Sequence, residues 1–160
     1  MYWRCYTMNP YEELLDTAHT EGLIVKEMPL QSSDGRIYRN RIAIRQDIMT
    51  TAQKAGTLAE ELGHYYTTVG NIHNQNILEN RKQERQARLH GYNRLIGLMG
   101  IIHAFNAGCQ NKYEIADYLD VTEDYLEECI ACYKDKYGIC TTVDNYIIYF
   151  IPNLMVTELI

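Results

Sequence analysis

The spacing of hydrophobic positions along the chain predicts mostly helices, with a few short strands. Residues 9–22 are typical of a short helix, with an asparagine that can cap it, a proline in its first turn and a closing glycine. Residues 23–30 and 36–45 predict two strands, because β-prone residues flank a Ser-Ser-Asp-Gly turn. The chain is therefore expected to begin with a helix and a small β-sheet.

Longer helices dominate the rest of the pattern. Helices are predicted over 50–68 and about 80–107, with a loop over 69–78 between them because Gly and Asn occur there. Two further helices over 111–137 meet at an Asp-Val-Thr turn, and 146–151 is strongly β-prone. The pattern predicts an α+β fold in which helices predominate.

The order of these elements indicates two domains. Residues 1–108 hold the first helices and the small N-terminal β-sheet. Residues 109–160 hold a helical hairpin with the hydrophobic rhythm of a helix-turn-helix, followed by a C-terminal β segment. A chain of 160 residues can bury a core of ordinary size.

Composition narrows the class of protein. The chain has 15 Lys and Arg against 21 Asp and Glu, and a net charge of −6 argues against non-specific nucleic-acid binding. No apolar run approaches the ~18–20 residues that cross a bilayer, so no membrane association is expected. The N-terminus has no apolar segment typical of a secretion signal, and we expect a cytoplasmic protein.

The five cysteines predict reduced thiols, because their number is odd and no secretion signal precedes them. Cys129 and Cys132 form a C-x-x-C pair on the apolar stripe of a predicted helix, which favours packing in the core. A zinc site of four thiolates would need Cys109 and Cys140 to converge on that pair.

Candidate chemistry lies in residues 57–66, Thr-Leu-Ala-Glu-Glu-Leu-Gly-His-Tyr-Tyr. Glu60 and His64 lie four residues apart, so on a helix they share a face and can point at one atom. Glu61 is rotated by about 100° and projects beside that atom. This is the spacing of the H-E-x-x-H zinc helix with Glu in place of the first His. A solvated helix face has the same spacing, and that alternative stays open.

Three segments in this order resemble the ImmA/IrrE metallopeptidase family of prophages and mobile elements. They are Arg-Ile-Ala-Ile-Arg (41–45), Leu-Ala-Glu-Glu-Leu-Gly-His-Tyr-Tyr-Thr (58–67) and Asn-Arg-Lys-Gln-Glu-Arg-Gln-Ala-Arg (80–88). Family members have a strand, a zinc helix of the form L-x-H-E-x-G-H, and a second helix with an E-x-x-A pattern. The resemblance covers about residues 10–137 and implies a zincin-like peptidase core.

The resemblance also implies roles for individual residues. Glu84, in Glu-Arg-Gln-Ala, matches the acidic third ligand, His64 matches a ligand and Glu61 matches the general base. Glu60 occupies the position of the first ligand without being its residue type. The implied activity is metal-dependent cleavage of a protein by an endopeptidase, in which Glu61 accepts a proton from water.

The substitution at Glu60 changes the charge of the ligand set. Glu, His and Glu bring two negative charges where His, His and Glu bring one, so the metal's own charge is more fully neutralised. Sets rich in oxygen also select less strongly for zinc, so Mn or another divalent ion is an alternative to Zn. A protein that keeps the fold and binds no metal is the other alternative.

Three further residues are candidates for the site. His73 lies nine residues after His64 and is a possible extra ligand, although an exposed loop histidine is the favoured interpretation. Tyr65 and Tyr66 follow the last helical ligand and are candidates for contacting the substrate or an oxyanion. Packing is the alternative for both tyrosines.

The strand over residues 41–45, with Ile42 and Ile44, is expected to receive an extended substrate by pairing along its edge. Such pairing recognises the main chain, so side-chain selection is left to a few pockets. The substrate's identity cannot be derived from this strand.

The predicted hairpin in the second half is acidic. Residues 111–137 hold eight acidic residues against three lysines, a local net charge of −5, and such a helix would repel phosphates. Direct DNA binding is therefore not expected, and the hairpin is interpreted as a protein-docking pair or as a cover for the core. A basic stripe of Arg81, Arg85 and Arg88 either offsets the acidic metal site or is a solvated face.

Two functional hypotheses remain from the sequence. The first is a cytosolic metallo-endopeptidase that cleaves a regulatory protein, for which the resemblance implies a helix-turn-helix repressor of a prophage or mobile element. The second is a catalytically inactive relative that binds the same target as an anti-repressor or adaptor. A regulator that binds DNA itself is disfavoured by the charge of the hairpin.

Overall fold

The computed structural model describes residues 8–68 and 77–160. Its helices are α1 (Pro10–Thr20), α2 (Thr51–Thr68), α3 (Ile77–Leu95), α4 (Gly97–Asn106), α5 (Lys112–Leu119) and α6 (Glu123–Tyr137). Its strands are β1 (Ile24–Met28), β2 (Gly35–Tyr38), β3 (Arg41–Arg45), β4 (Cys140–Val143), β5 (Tyr146–Tyr149) and β6 (Met155–Glu158). No helix in the described part of the chain is both long and apolar enough to cross a membrane.

The N-terminal sheet has the order β1-β3-β2, with β1 parallel and β2 antiparallel to β3. The prediction of one strand over 36–45 was wrong, because Arg39 adopts a positive φ of 55° and the chain reverses there into a hairpin. The reversal makes β3 the central strand and β2 an outer strand.

Helices α1 and α2 pack with this sheet around one hydrophobic core. Asn9 caps α1 through a capping box with Glu12, as the sequence predicted. The partly buried Val25 of β1 and Ile37 of β2 pack against this core. Its buried residues come from α1, β3, α2 and the segments next to the strands: Tyr11, Leu14, Ala18, Leu23, Ile42, Ile44, Ile48, Ala55, Leu58, Ala59 and Leu62. Burying one face of α2 here leaves the adjoining face to contact α3.

Helices α2 and α3 approach closely through small residues. A Cβ atom added to Gly63 would overlap the backbone carbonyl of Ala87, and one added to Gly91 would lie 3.1 Å from the carbonyl oxygen of Ala59. The contact residues are four positions apart on each helix, Ala59 and Gly63 on α2 and Ala87 and Gly91 on α3. This spacing puts both contacts on one face of each helix. The backbones meet because no larger side chain keeps them apart.

A second hydrophobic core joins the end of α3 to everything that follows. It contains Tyr92 of α3, Ile96 between α3 and α4, Ile101 and Ile102 of α4, and the fully buried Leu126 of α6. The β4-β5-β6 sheet closes it, and the predicted strand over 146–151 is the middle strand of that sheet. The buried residues of the first core end at Leu62 and those of the second begin at Tyr92, and the partly buried Leu95 packs against both cores. The predicted boundary between residues 108 and 109 stays a prediction.

Two local predictions for this half hold and one does not. Asp120 takes the left-handed conformation (φ 51°) between α5 and α6, as expected for a helix-turn-helix-like hairpin. Cys129 is fully buried in the core, whereas Cys140 is exposed at the start of β4. The single helix predicted over 80–107 is two helices, since Gly97 adopts a positive φ of 62° between them.

We expect Gly63→Ala to destabilise the protein, because the added methyl group must force α2 and α3 apart. The cost should be about 1–3 kcal/mol despite the better helix propensity of Ala. Denaturant unfolding measures it. Gly100→Ala in α4 is the matched control, since its new Cβ would meet only ordinary contacts at 3.4 Å or more. Equal stability of Gly63→Ala and wild type would contradict the close helix contact.

Candidate metal centre

Glu60, His64 and Glu84 converge on one point. One donor atom from each side chain lies within 4.8 Å of the other two, and His64 Nε2 lies 3.6 Å from Glu84 Oε2. The four-residue spacing on α2 supplies the first two, and the contact between Gly63 and Ala87 brings α3 close enough to supply the third. This is the one such group of three found among the described residues.

The three side chains fit a divalent cation. Carboxylate oxygen and imidazole nitrogen bind zinc at ~2.0–2.2 Å, so two donors of a tetrahedral ion lie about 3.4 Å apart. The separation of 3.6 Å between His64 and Glu84 is close to that value. The side chains are 29% to 43% exposed, so a bound ion would keep a face open to substrate and water. The donor types suit zinc or manganese.

Glu61 lies beside the cluster, under strand β2. A Cβ atom on Gly35 would be 2.7 Å from Glu61 Cγ and Oε1, so only glycine allows the strand to pass this close. The backbone N–H of Ile37 donates to the Glu61 carboxylate. Burial, and then repulsion from Glu60 and Glu84, raises the pKa of Glu61 to about 7. A carboxyl group with such a pKa can accept and release a proton near neutral pH.

Arg88 is the counter-ion of the cluster. Its Nε lies 3.1 Å from Glu84 Oε1 and 3.7 Å from Glu60 Oε1. Burial raises the pKa of Glu60, and the guanidinium of Arg88 opposes that rise. Arg85 instead faces Asp135 at 3.6 Å. The basic stripe is therefore divided, with Arg88 alone of these two arginines turned toward the acidic cluster.

A groove passes the cluster between α2, α3 and α6. It consists of two cavities of about 410 and 660 Å³, of which the first is lined by Glu60 and the second by Glu84. Both are lined by Arg88, Tyr92 and Glu128, and the Tyr92 hydroxyl donates to Glu128 Oε2 at 3.0 Å. The helix-turn-helix-like hairpin thus supplies one wall of the groove through α6.

Tyr125 fixes that wall against the metal-binding helices. Its ring lies 3.1 Å from the position of a Cβ atom on Gly56 of α2, and its hydroxyl 3.2 Å from that on Gly91 of α3. Tyr92 packs edge-on against it, with ring centroids 5.0 Å apart. Sequence reasoning missed these residues, because no spacing rule relates α6 to two glycines on other helices.

Tyr66 packs against α3 and does not face the cluster. Its ring stacks on His90 with centroids 4.7 Å apart, and the guanidinium of Arg94 lies 5.7 Å from its centroid. It follows His64 by two residues and so projects about 200° away around α2. Tyr65 packs against the N-terminal core and edge-on to Tyr66 at 5.2 Å. The structure therefore gives both tyrosines packing roles, and His73 lies outside the described residues.

The predicted substrate-pairing strand was wrong. Strand β3 is paired on both sides, and Ile42 and Ile44 are 1% and 0% exposed in the core. A central strand has no free edge to offer. Strand β2 is the outer strand on the side of Glu61, since Gly35 and Ile37 contact that carboxylate.

The family model of the IrrE N-terminal-like domain, Peptidase_M78, matches residues 10–128. The chain belongs to this family. Its α+β fold, with a helix-rich zincin-like core and C-terminal strands, agrees with the prediction. No curated protein matches the chain. Membership in Peptidase_M78 supports a metallopeptidase-type protein, and the match includes the whole cluster and the start of α6.

We expect the purified protein to bind about one divalent ion per chain. Losing a residue that only hydrogen-bonds to a metal ligand typically weakens metal binding by ~10–100-fold. Glu84→Gln and His64→Ala should weaken it by more, because each removes a ligand. Metal analysis and titration calorimetry with Zn²⁺ and Mn²⁺ measure this. Glu128→Gln, a nearby acid outside the cluster, is the control. Unchanged affinity in both ligand variants would disprove the site.

Proposed function

We propose that this member of the Peptidase_M78 family is a metal-dependent endopeptidase that cleaves a regulatory protein. The observation that carries the proposal is the convergence of Glu60, His64 and Glu84 beside Glu61, a carboxyl group whose pKa is raised to about 7. Ligands for a cation and a group able to move a proton thus lie side by side, and Glu60 and Glu84 also line the groove.

The chemistry divides between the ion and the protein. A divalent ion held by Glu60, His64 and Glu84 supplies Lewis-acid chemistry, which polarises a carbonyl and makes water more acidic. Glu61 takes the proton from the attacking water on a carboxylate oxygen and delivers it to the leaving amine. Burial, the first cause of the raised pKa of Glu61, favours the form that holds the proton between these two steps.

Strand β2 and the groove would position the substrate. An extended peptide adds to an outer strand through main-chain hydrogen bonds, and β2 lies directly over Glu61. The side chains of the bound peptide would then enter the two cavities that Arg88 lines. Main-chain pairing supplies general affinity, so the groove residues set the preference for sequence.

The target we propose is a helix-turn-helix repressor of a prophage or mobile element, present in the same cytoplasm. The family resemblance supports this choice, and so does the charge of α6, whose Glu123, Asp124, Glu127 and Glu128 are all exposed. Such a face repels DNA and attracts the basic surface with which a repressor holds phosphates.

A second candidate function has one observation in its favour. Arg88 contacts both carboxylates of the cluster, so the group has a counter-ion without any metal. A protein that binds the repressor in the groove without cutting it would act as an anti-repressor or adaptor.

The deciding experiment incubates the protein with the repressor encoded beside it, with and without a chelator. We expect cleavage that the chelator stops and added Zn²⁺ or Mn²⁺ restores. Glu61→Gln should lower the cleavage rate by at least ~100-fold with metal content unchanged, because it removes the proton acceptor and leaves the ligands intact. Gel and mass analysis follow the products.

The matched control is Glu13→Gln, the same substitution at an exposed position of α1. It should cleave at the wild-type rate. Tight binding of the repressor by the metal-loaded wild type, with no cleavage, would refute the peptidase and establish the adaptor. Full activity of Glu61→Gln would refute the role of Glu61 alone.

A further inference from the structure

We propose that Arg88 is the residue that compensates the charge of Glu60, so that the cluster can use a carboxylate in place of a neutral first ligand. The proposal rests on the metal site of the proposed function. It concerns a positioning residue, which acts on the ligands and leaves the reacting atoms to Glu61 and the ion.

The contacts of Glu84 show how Arg88 can stay in place while a metal is bound. The two carboxylate oxygens of Glu84 have different partners. Oε1 lies 3.1 Å from Arg88 Nε, and Oε2 lies 3.6 Å from His64 Nε2. One oxygen is thus used by the guanidinium and the other faces the remaining ligands. Arg88 can therefore contact Glu84 without occupying the oxygen that faces the cation.

The charges of the cluster explain what Arg88 adds. Two histidines and one glutamate around a divalent ion leave a net charge of +1, whereas Glu60, His64 and Glu84 around the same ion leave zero. Arg88 restores +1, because guanidinium is always protonated in proteins. Its Nε is 3.7 Å from Glu60 Oε1, so the compensation acts on the ligand that introduced the extra charge.

The surroundings of Arg88 keep its charge at the cluster. Arg88 and Glu84 are one helical turn apart on α3, and the following turn carries Tyr92, which is tied to Glu128 of α6. Arg85, three residues earlier, has a similar exposure (57% against 50%) and faces Asp135. The chain therefore contains a matched arginine on the same helix whose charge is directed elsewhere.

Compensation predicts two opposite effects of removing the charge. Without Arg88 the two carboxylates attract a cation more strongly, so metal binding should tighten. Hydrolysis should slow, because the metal's charge is more fully neutralised and polarises the substrate less. Loss of a residue that only supports the fold would weaken metal binding and hydrolysis together.

The test measures Zn²⁺ affinity of full-length variants by competition with a chromophoric chelator, beside the rate of repressor cleavage. Arg88→Gln should bind Zn²⁺ about tenfold more tightly and cleave at least ~10-fold more slowly. Arg88→Lys keeps the charge and should stay within about threefold of wild type in affinity. Arg85→Gln should leave the affinity within about twofold of wild type.

A second arm uses Glu60→His, which removes the need for compensation. Adding Arg88→Gln to it should change cleavage by less than about threefold, since His, His and Glu already leave +1. Three results would each overturn the compensation and leave the metal site standing. They are weaker Zn²⁺ binding by Arg88→Gln than by wild type, the same change of affinity in Arg85→Gln as in Arg88→Gln, and the same loss of cleavage on adding Arg88→Gln to Glu60→His as to wild type. A wild-type protein that binds no divalent ion would overturn both this proposal and the metal site.

Discussion

The close contact of α2 and α3 is the constraint on which the rest of the structure depends. Gly63 and Ala87 touch through their backbones, and one residue beyond Gly63 lies His64, while three residues before Ala87 lies Glu84. The glycine of Glu-Glu-Leu-Gly-His and the alanine of Glu-Arg-Gln-Ala are therefore two sides of one contact. Any side chain that separated the helices would also separate the ligands, so packing and chemistry share the same residues.

A second close approach, between Gly35 and Glu61, places a strand over the carboxyl group beside the cluster. The same proximity removes water from Glu61 and raises its pKa, while the N–H of Ile37 limits the rise. One short strand thus sets the environment of the carboxyl group and offers the surface on which an extended chain can lie.

Much of this centre could be predicted from local spacing, and the parts that could not depend on long-range packing. The four-residue separation of Glu60 and His64 has a meaning on any helix, and Glu84 followed from a family resemblance. The central position of β3 depends on a reversal at Arg39, a residue that seldom takes positive φ, so no turn signal marked it. The contacts of Arg88 needed the register of two helices, which the sequence pattern does not reveal.

Helix α3 joins the cluster to the C-terminal core, with Glu84 in the cluster and Tyr92 buried in that core. A fragment cut after residue 108 would keep every ligand but lose α6, and with it Tyr125, the wedge between Gly56 and Gly91. The apolar side of α3 and α4 would then be left in water. The smallest fragment that keeps the cluster packed therefore extends beyond Glu60, His64 and Glu84 to the last helix, α6.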